Sequence, residues 1–175
     1  MITLVTGFAV NAETFNYPDN TIHQGVELGL DAILAEGLIF PNDSITTKLV
    51  YNYSDFTFDG GMFDGNQIAG IPEHLGYTEL AYHIGDKFTV APNLRWQPSD
   101  TFVDHSNTQV QDDYLLLGLK AAYRPVPSIR IFADLNNLTD NHYQSTYVIR
   151  GISAANQPTF LPGSGFSVMA GAELT

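Results

Sequence analysis

Apolar and polar positions alternate along most of this chain, in segments of about ten residues. In the first clear segment Val26, Leu28, Leu30, Ala32 and Leu34 fall on one side, and Glu27, Gly29 and Asp31 on the other. Ile45, Thr47, Leu49, Tyr51 and Tyr53 then alternate with Thr46, Lys48, Asn52 and Ser54. Thr78, Leu80, Tyr82 and Ile84 oppose Glu79 and His83, while Phe88, Val90, Leu94 and Trp96 oppose Lys87, Asn93, Arg95 and Gln97. Leu115, Leu117, Leu119, Ala121 and Tyr123 face away from Gly118 and Lys120, and Ile129, Ile131, Ala133 and Leu135 from Arg130 and Asp134. The last segment sets Phe166, Val168, Ala170, Ala172 and Leu174 against Ser167, Gly171 and Glu173. A period of two is the repeat of a strand with one apolar face, so the pattern predicts an all-β, antiparallel protein. Stretch 28–40 could also be drawn as a short amphipathic helix, but the alternation beginning at Val26 enters it unbroken and favours strand.

The connections carry a second signal. A turn of about ten residues with Gly37, Pro41 and Asn42 follows Leu34. Ile84-Gly85-Asp86-Lys87 reads as a tight hairpin, and Arg124-Pro125-Val126-Pro127-Ser128 as another short link. Between these lie long polar stretches at 59–73, 99–111 and 136–163. If Met1–Thr6 is one more strand and a long loop spans 12–20, about eight strands alternate between short and long connections. That asymmetry predicts a transmembrane β-barrel segment with short turns on one side and long loops on the other. An even count also puts the C-terminus on the short-turn side. Tyr51, Tyr53, Phe56, Phe58, Tyr77, Tyr82, Phe88, Trp96, Tyr114, Tyr123 and Phe132 sit mostly toward strand ends, where interfacial girdles place aromatic rings. Taken singly, each also satisfies the ordinary strand preference of Tyr and Phe.

Composition narrows the function. A net charge of −12, from 19 acids and 7 bases, argues against a nucleic-acid partner. No cysteine is present, which removes disulfide scaffolds, thiol chemistry and Cys-based zinc sites. The mean hydropathy of −0.04 suits a barrel whose outward apolar residues are balanced by inward polar ones. No window approaches the ~18 apolar residues of a transmembrane helix. Met1-Ile2-Thr3-Leu4 lacks the basic and apolar regions of a secretory signal, so the expectation is a mature piece or a fragment of a longer protein.

No enzyme chemistry surfaces. A Gly-x-Ser-x-Gly elbow is missing, and Gly60-Gly61 has no Gly-Lys-Ser/Thr after it. His23, His74, His83, His105 and His142 are scattered singly without an i,i+4 pair, so neither a metal site nor a cofactor is expected. The acidic loops read as a solvated surface by default. In 136–143, Asn136, Asn137 and Asp140 read as backbone hydrogen-bonders at a strand exit, with Leu138 and Tyr143 packing the corner. Ligand contacts, if this part makes them, are expected on the long loops at His105, His142, Tyr147 and Arg150. Arg150 stands out because bases are scarce and an anionic chelate would need one.

Four local patterns, in order, resemble the C-terminal part of TonB-dependent outer-membrane receptors. His23-Gln24-Gly25-Val26-Glu27-Leu28 is similar to that family's G-V/L-E-L strand start. Phe58-Asp59-Gly60-Gly61-Met62-Phe63-Asp64-Gly65-Asn66, then Ile71-Pro72-Glu73-His74, resembles its D-G-N … V-P-x-H loop. Ile131 to Tyr143, through Asn137-Leu138-Thr139-Asp140, is similar to its N-L-F-D-x-x-Y signature, with Thr139 where the family has Phe. Leu161-Pro162-Gly163 running into Ala170-Gly171-Ala172-Glu173-Leu174 resembles its final strand, with Ser164 and Gly165 where an Arg is usual and no terminal aromatic after Leu174-Thr175.

The resemblance implies that residues 1–175 are a C-terminal barrel portion of an outer-membrane receptor. It implies uptake of a ferric siderophore or a similar large chelate, and coupling to the TonB system through a plug domain outside this chain. The partners implied are outer-membrane lipid, an iron-siderophore type of ligand and the TonB machinery. Two other readings stay open at this point. The eight strands could close by themselves as a small outer-membrane barrel with a structural or surface role, with Glu27, Lys48, Glu79, Arg95, Lys120, Arg130, Asp134 and Glu173 pairing inside. Alternatively, the faces could be reversed in a soluble barrel that holds a small molecule.

Overall fold

The computed structural model describes residues 17–154, 157 and 159–174. Seven long strands form one antiparallel sheet: β1 (Asn20–Glu36), β2 (Asp43–Asp59), β3 (His74–Ile84), β4 (Phe88–Gln97), β7 (Tyr114–Val126), β8 (Ile129–Asn136) and β11 (Ser167–Leu174), in the order β1-β2-β3-β4-β7-β8-β11. The rest of the numbering belongs to the long loops, which contain two small ladders. One pairs β5 (Thr101–Phe102) with β6 (Val110–Gln111), and the other pairs β9 (Gln144–Tyr147) with β10 (Phe160–Pro162). The candidate strand at Met1–Thr6 lies outside the described residues.

Short connections join β1 to β2, β3 to β4 and β7 to β8, and long ones join β2 to β3, β4 to β7 and β8 to β11. The first turn is tighter than the sequence suggests, 37–42, because both strands continue toward it. Asp43 closes it: its carboxylate accepts the Leu38, Ile39 and Phe40 amides at 2.7, 2.8 and 2.9 Å and the Tyr82 hydroxyl at 2.8 Å. The second link also shrinks, because β7 runs on to Val126. Its register shifts between Tyr123 and Val126, where Pro125 has no N–H to give the ladder. Stretch 28–40 holds no helix; it is β1, with a bulge between Ile33 and Ala35, followed by the turn.

The register places all seven alternating patterns on one pair of faces. Asp31 opposes Lys48, Lys48 opposes Glu79, Glu79 opposes Asn93, and Lys120 opposes Asp134, so these polar residues share a face. Leu30, Leu49 and Thr78 form a row on the other, as do Leu119 and Leu135. The apolar face is bare: Val26 is 60% exposed, Leu30 47% and Val168 57%. Rows of exposed aliphatics across a whole sheet would cost a soluble protein dearly and match a lipid-facing surface. Tyr51, Tyr53 and Trp96 lie on that face toward the long loops, and Tyr82, Phe88 and Tyr123 toward the short turns. Phe56, Phe58, Tyr77, Tyr114 and Phe132 belong to the polar face instead, so they correct the expected girdle.

The sheet is open among the described residues, with β1 and β11 at its edges. Six successive antiparallel pairings leave these two strands running in the same direction. An up-and-down barrel closes antiparallel, so these seven strands do not close on themselves without further strands. Most deeply buried side chains lie at the loop end or within the loops. Val103 and Asp104 are fully covered, and Phe58, Phe63, Ala69, Gln97, Thr101 and Gln111 are buried around them.

Candidate functional site

The polar face curves around a cavity of about 930 Å³, and five of the chain's seven bases line it: Lys48, Lys87, Lys120, Arg124 and Arg130. Acids interleave with them. Lys48 lies 3.6 Å from Asp31, Lys120 2.7 Å from Glu79, Arg130 3.0 Å from Glu173 and Arg124 3.8 Å from Asp86. The concave side is therefore the charged one, and the apolar side faces outward. That orientation disposes of the soluble barrel with reversed faces.

Above the sheet the three long loops are joined through backbone and side chain alike. Asp104, in the loop between β4 and β7, is the hub. Its carboxylate accepts hydrogen bonds from the Ser106 hydroxyl, the Thr108 hydroxyl at 2.7 Å, the Thr108 and Gln109 amides at 2.9 Å each, and the Ser153 amide at 3.3 Å. Burial alone would raise its pKa, but the donors outweigh it and hold the carboxyl well below the usual carboxylate range. Asn107 adopts a left-handed conformation, φ 54°, that short polar side chains tolerate. From there its side chain clasps Gln67 of the first loop, accepting from the amide at 2.8 Å and donating to the carbonyl at 3.0 Å.

Three of the four expected ligand residues meet in this assembly. His105 accepts the Ala69 amide at Nδ1, 3.2 Å, and its own amide donates to the Arg150 carbonyl at 2.9 Å. The Asn66 side chain donates to the His105 carbonyl at 2.9 Å. Phe58 meets the imidazole edge to face, centroids 5.0 Å apart, and Phe63 lies at 5.7 Å. Burial lowers the pKa of His105 against the opposing pull of Asp104. Tyr147 donates its hydroxyl to the Gly70 carbonyl at 2.9 Å, and burial raises its pKa. The Arg150 guanidinium donates to Thr159 Oγ1 at 3.1 Å, next to an isolated bridge between Arg150 and Asp104. Polar atoms of all three therefore hold loop to loop.

His142 stands apart, exposed in the turn after β8. That turn is built by Asn137, whose side chain accepts from the Asn141 amide at 2.9 Å and donates to the Asn141 and Ser164 carbonyls, and by Asp140, which accepts the Phe166 amide at 2.8 Å. Asn136 has no part in it and ends β8 opposite Ser167. The reading of the loop acids as a solvated surface fails at Asp104, which is fully buried, and neither Asn66, noted only within a family motif, nor Asn107 was expected to join the loops. Their signal was the run Asp104-His105-Ser106-Asn107-Thr108, since a carboxylate just ahead of Ser, Asn and Thr is the composition of an Asx-type turn. Among the described residues no group of three or more His, Cys, Asp or Glu is arranged to hold a metal ion.

An antiparallel sheet with a bare apolar face, a charged concave face, and short turns opposite interlocked long loops defines the wall of a membrane β-barrel. The chain belongs to the family described as TonB dependent receptor-like, beta-barrel, whose model matches residues 1–138. Its fold is similar to three solved receptors. The ferric yersiniabactin uptake receptor FyuA from Yersinia pestis superposes with a TM-score of 0.66 at 16% identity, over 88% of this chain and 23% of that one. The siderophore receptor PiuA from Acinetobacter baumannii gives 0.64 at 21% identity, over 87% and 22%. The ferric-catecholate import receptor Fiu from Escherichia coli K12 gives 0.58 at 16%, over 85% and 20%. At these identities the likeness speaks for the fold alone, and the chain spans between a fifth and a quarter of each receptor's length. No curated protein matches the sequence. Family and neighbours are transport receptors, not enzymes.

Proposed function

We propose that the chain forms a C-terminal part of the barrel wall of an outer-membrane receptor that imports a scarce nutrient, such as a ferric siderophore or another large chelate. Energy would reach it from the TonB system through a plug domain outside the 175 residues. The observation that carries this reading is the sheet itself: its faces are segregated, its connections alternate short and long, and among the described residues both its edges are open. Open edges cannot be left in lipid, so the strands belong in a wider barrel. The self-contained barrel of eight strands would need a strand from the start of the chain to pair with β11. Among the loop residues, His142 presents an exposed ring to a ligand, while His105, Tyr147 and Arg150 brace the loops beside it. The test is uptake of radiolabelled ferric chelates by the host, with this gene deleted and with the TonB system inactivated. Loss of uptake of one chelate in both strains supports the reading. Unchanged uptake of every chelate tried, or recovery of the protein in the soluble fraction, overturns it.

A further inference from the structure

We propose that His105 is a proton-operated latch, holding the three long loops together when neutral and loosening them when its ring gains a proton. The argument is geometric. His105 is hydrogen-bonded to both other long loops: Ala69 and Asn66 on the one between β2 and β3, and Arg150 on the one between β8 and β11. Two of those bonds use its backbone and survive protonation. The third does not, because Nδ1 accepts the Ala69 amide only while it carries no proton. A proton there turns acceptor into donor, facing an N–H. It also puts a charge beside the rings of Phe58 and Phe63, which are themselves buried.

The adjacent Asp104 carboxylate favours that proton, but burial of the ring outweighs it. On its own loop, the Asp104 carboxylate is taken up by Ser106, Thr108, Gln109 and Ser153. From the first loop, Asp64 accepts the Gly60 amide at 2.8 Å. From the third, the Arg150 guanidinium is turned to its own loop, donating to Thr159 Oγ1. Ahead of β1, Tyr17 packs tilted against Phe58, centroids 4.7 Å apart, with its hydroxyl donating to the Gly60 carbonyl.

The sign follows from linkage. The folded loops bind the proton less well than an exposed histidine, so closure is at full strength above about pH 6.5 and weakens as pH falls below it. Opening becomes roughly tenfold more frequent for each pH unit between about 6.5 and the folded-state value, below which it levels off.

Hydrogen-exchange mass spectrometry on the full protein in outer-membrane vesicles tests this, corrected for the intrinsic pH dependence of exchange. Peptides covering 60–73, 98–113 and 144–154 should exchange several-fold faster at pH 5.5 than at pH 7.5, while peptides from β3 and β4 do not change. His105→Asn keeps an acceptor oxygen at the δ position but cannot titrate, so its loops should stay equally protected at both values. Wild-type loops that are equally protected at both pH values overturn the proposal without any variant. A His105→Asn protein that still loosens in acid overturns it too, since another group would then be the sensor.

Discussion

Lys120 of β7 reaches Glu79 of β3 across β4, the strand that lies between theirs, and its Nζ comes within 2.7 Å of Glu79 Oε2. Two features of β4 allow this. The position opposite Lys120 is Ala91, small and 3% exposed, and the position opposite Glu79 is Asn93. The Lys120 ammonium also donates to the Tyr77 hydroxyl at 3.0 Å.

The Lys120–Glu79 bridge is half-exposed on the lysine side, so its worth is modest. Lys120→Met should cost about 1 kcal/mol of barrel stability, and Ala91→Leu more, because it fills the passage the lysine crosses. A double-mutant cycle on Lys120 and Glu79, read by urea unfolding from vesicles, should return a coupling of about 0.5–1 kcal/mol. Strict additivity would mean that the two side chains do not meet in the membrane.

The two faces should respond oppositely to charge. Leu119 sits midway along β7 on the apolar face, and Met169 on the polar face of β11. Leu119→Arg should destabilise the membrane-embedded protein by about 2–4 kcal/mol, and Met169→Arg by less than about 1 kcal/mol. The measurement is the unfolding midpoint of each variant in vesicles. Equal costs would contradict the assignment of faces.

Asp104 sets a second, more acidic limit on the loops. Its carboxyl is held below the usual range, so the stabilisation it brings is complete above about pH 4 and is lost as pH falls further toward its folded-state value. That window lies below the one set by His105. Asp104→Ala leaves several buried donors without a partner and should cost the loop assembly about 2–4 kcal/mol, while leaving β3 and β4 protected. Hydrogen exchange across 98–113 and 144–154 separates the two effects. Unchanged protection in Asp104→Ala would remove Asp104 as the hub.

The strands were legible because burial by lipid demands period two wherever the chain crosses it. Every paired residue assigned to the apolar face is found there, from Val26 to Leu174, while Leu34 at the β1 bulge and Phe166 ahead of β11 fall outside the paired register. The family was legible in loop and turn motifs, whose asparagines, aspartates and glycines hold particular backbone conformations, as Asn137 does at φ 51°. Strand ends were less so: no change of period marks where Glu36 stops pairing, and the turn-closing role of Asp43 depends on three amides that lie before it. The girdle was over-read because strand preference and interfacial preference favour the same rings, as Tyr77 and Phe132 illustrate. The loop assembly was hidden for a different reason. Its contacts join residues such as Asn66 and His105, or Gly70 and Tyr147, that are far apart in sequence and follow no repeat.

Trp96 offers the most direct test, since it is the only tryptophan in the chain and lies on the apolar face near the long loops, against Tyr51 at 5.8 Å. The protein would be placed in vesicles of phosphatidylcholine brominated at successive acyl depths, and its indole fluorescence read against unbrominated vesicles. The account predicts a blue-shifted emission quenched most strongly by bromines nearest the headgroups. Emission at the wavelength of a water-exposed indole, untouched by bromine at any depth, would contradict a lipid-facing sheet.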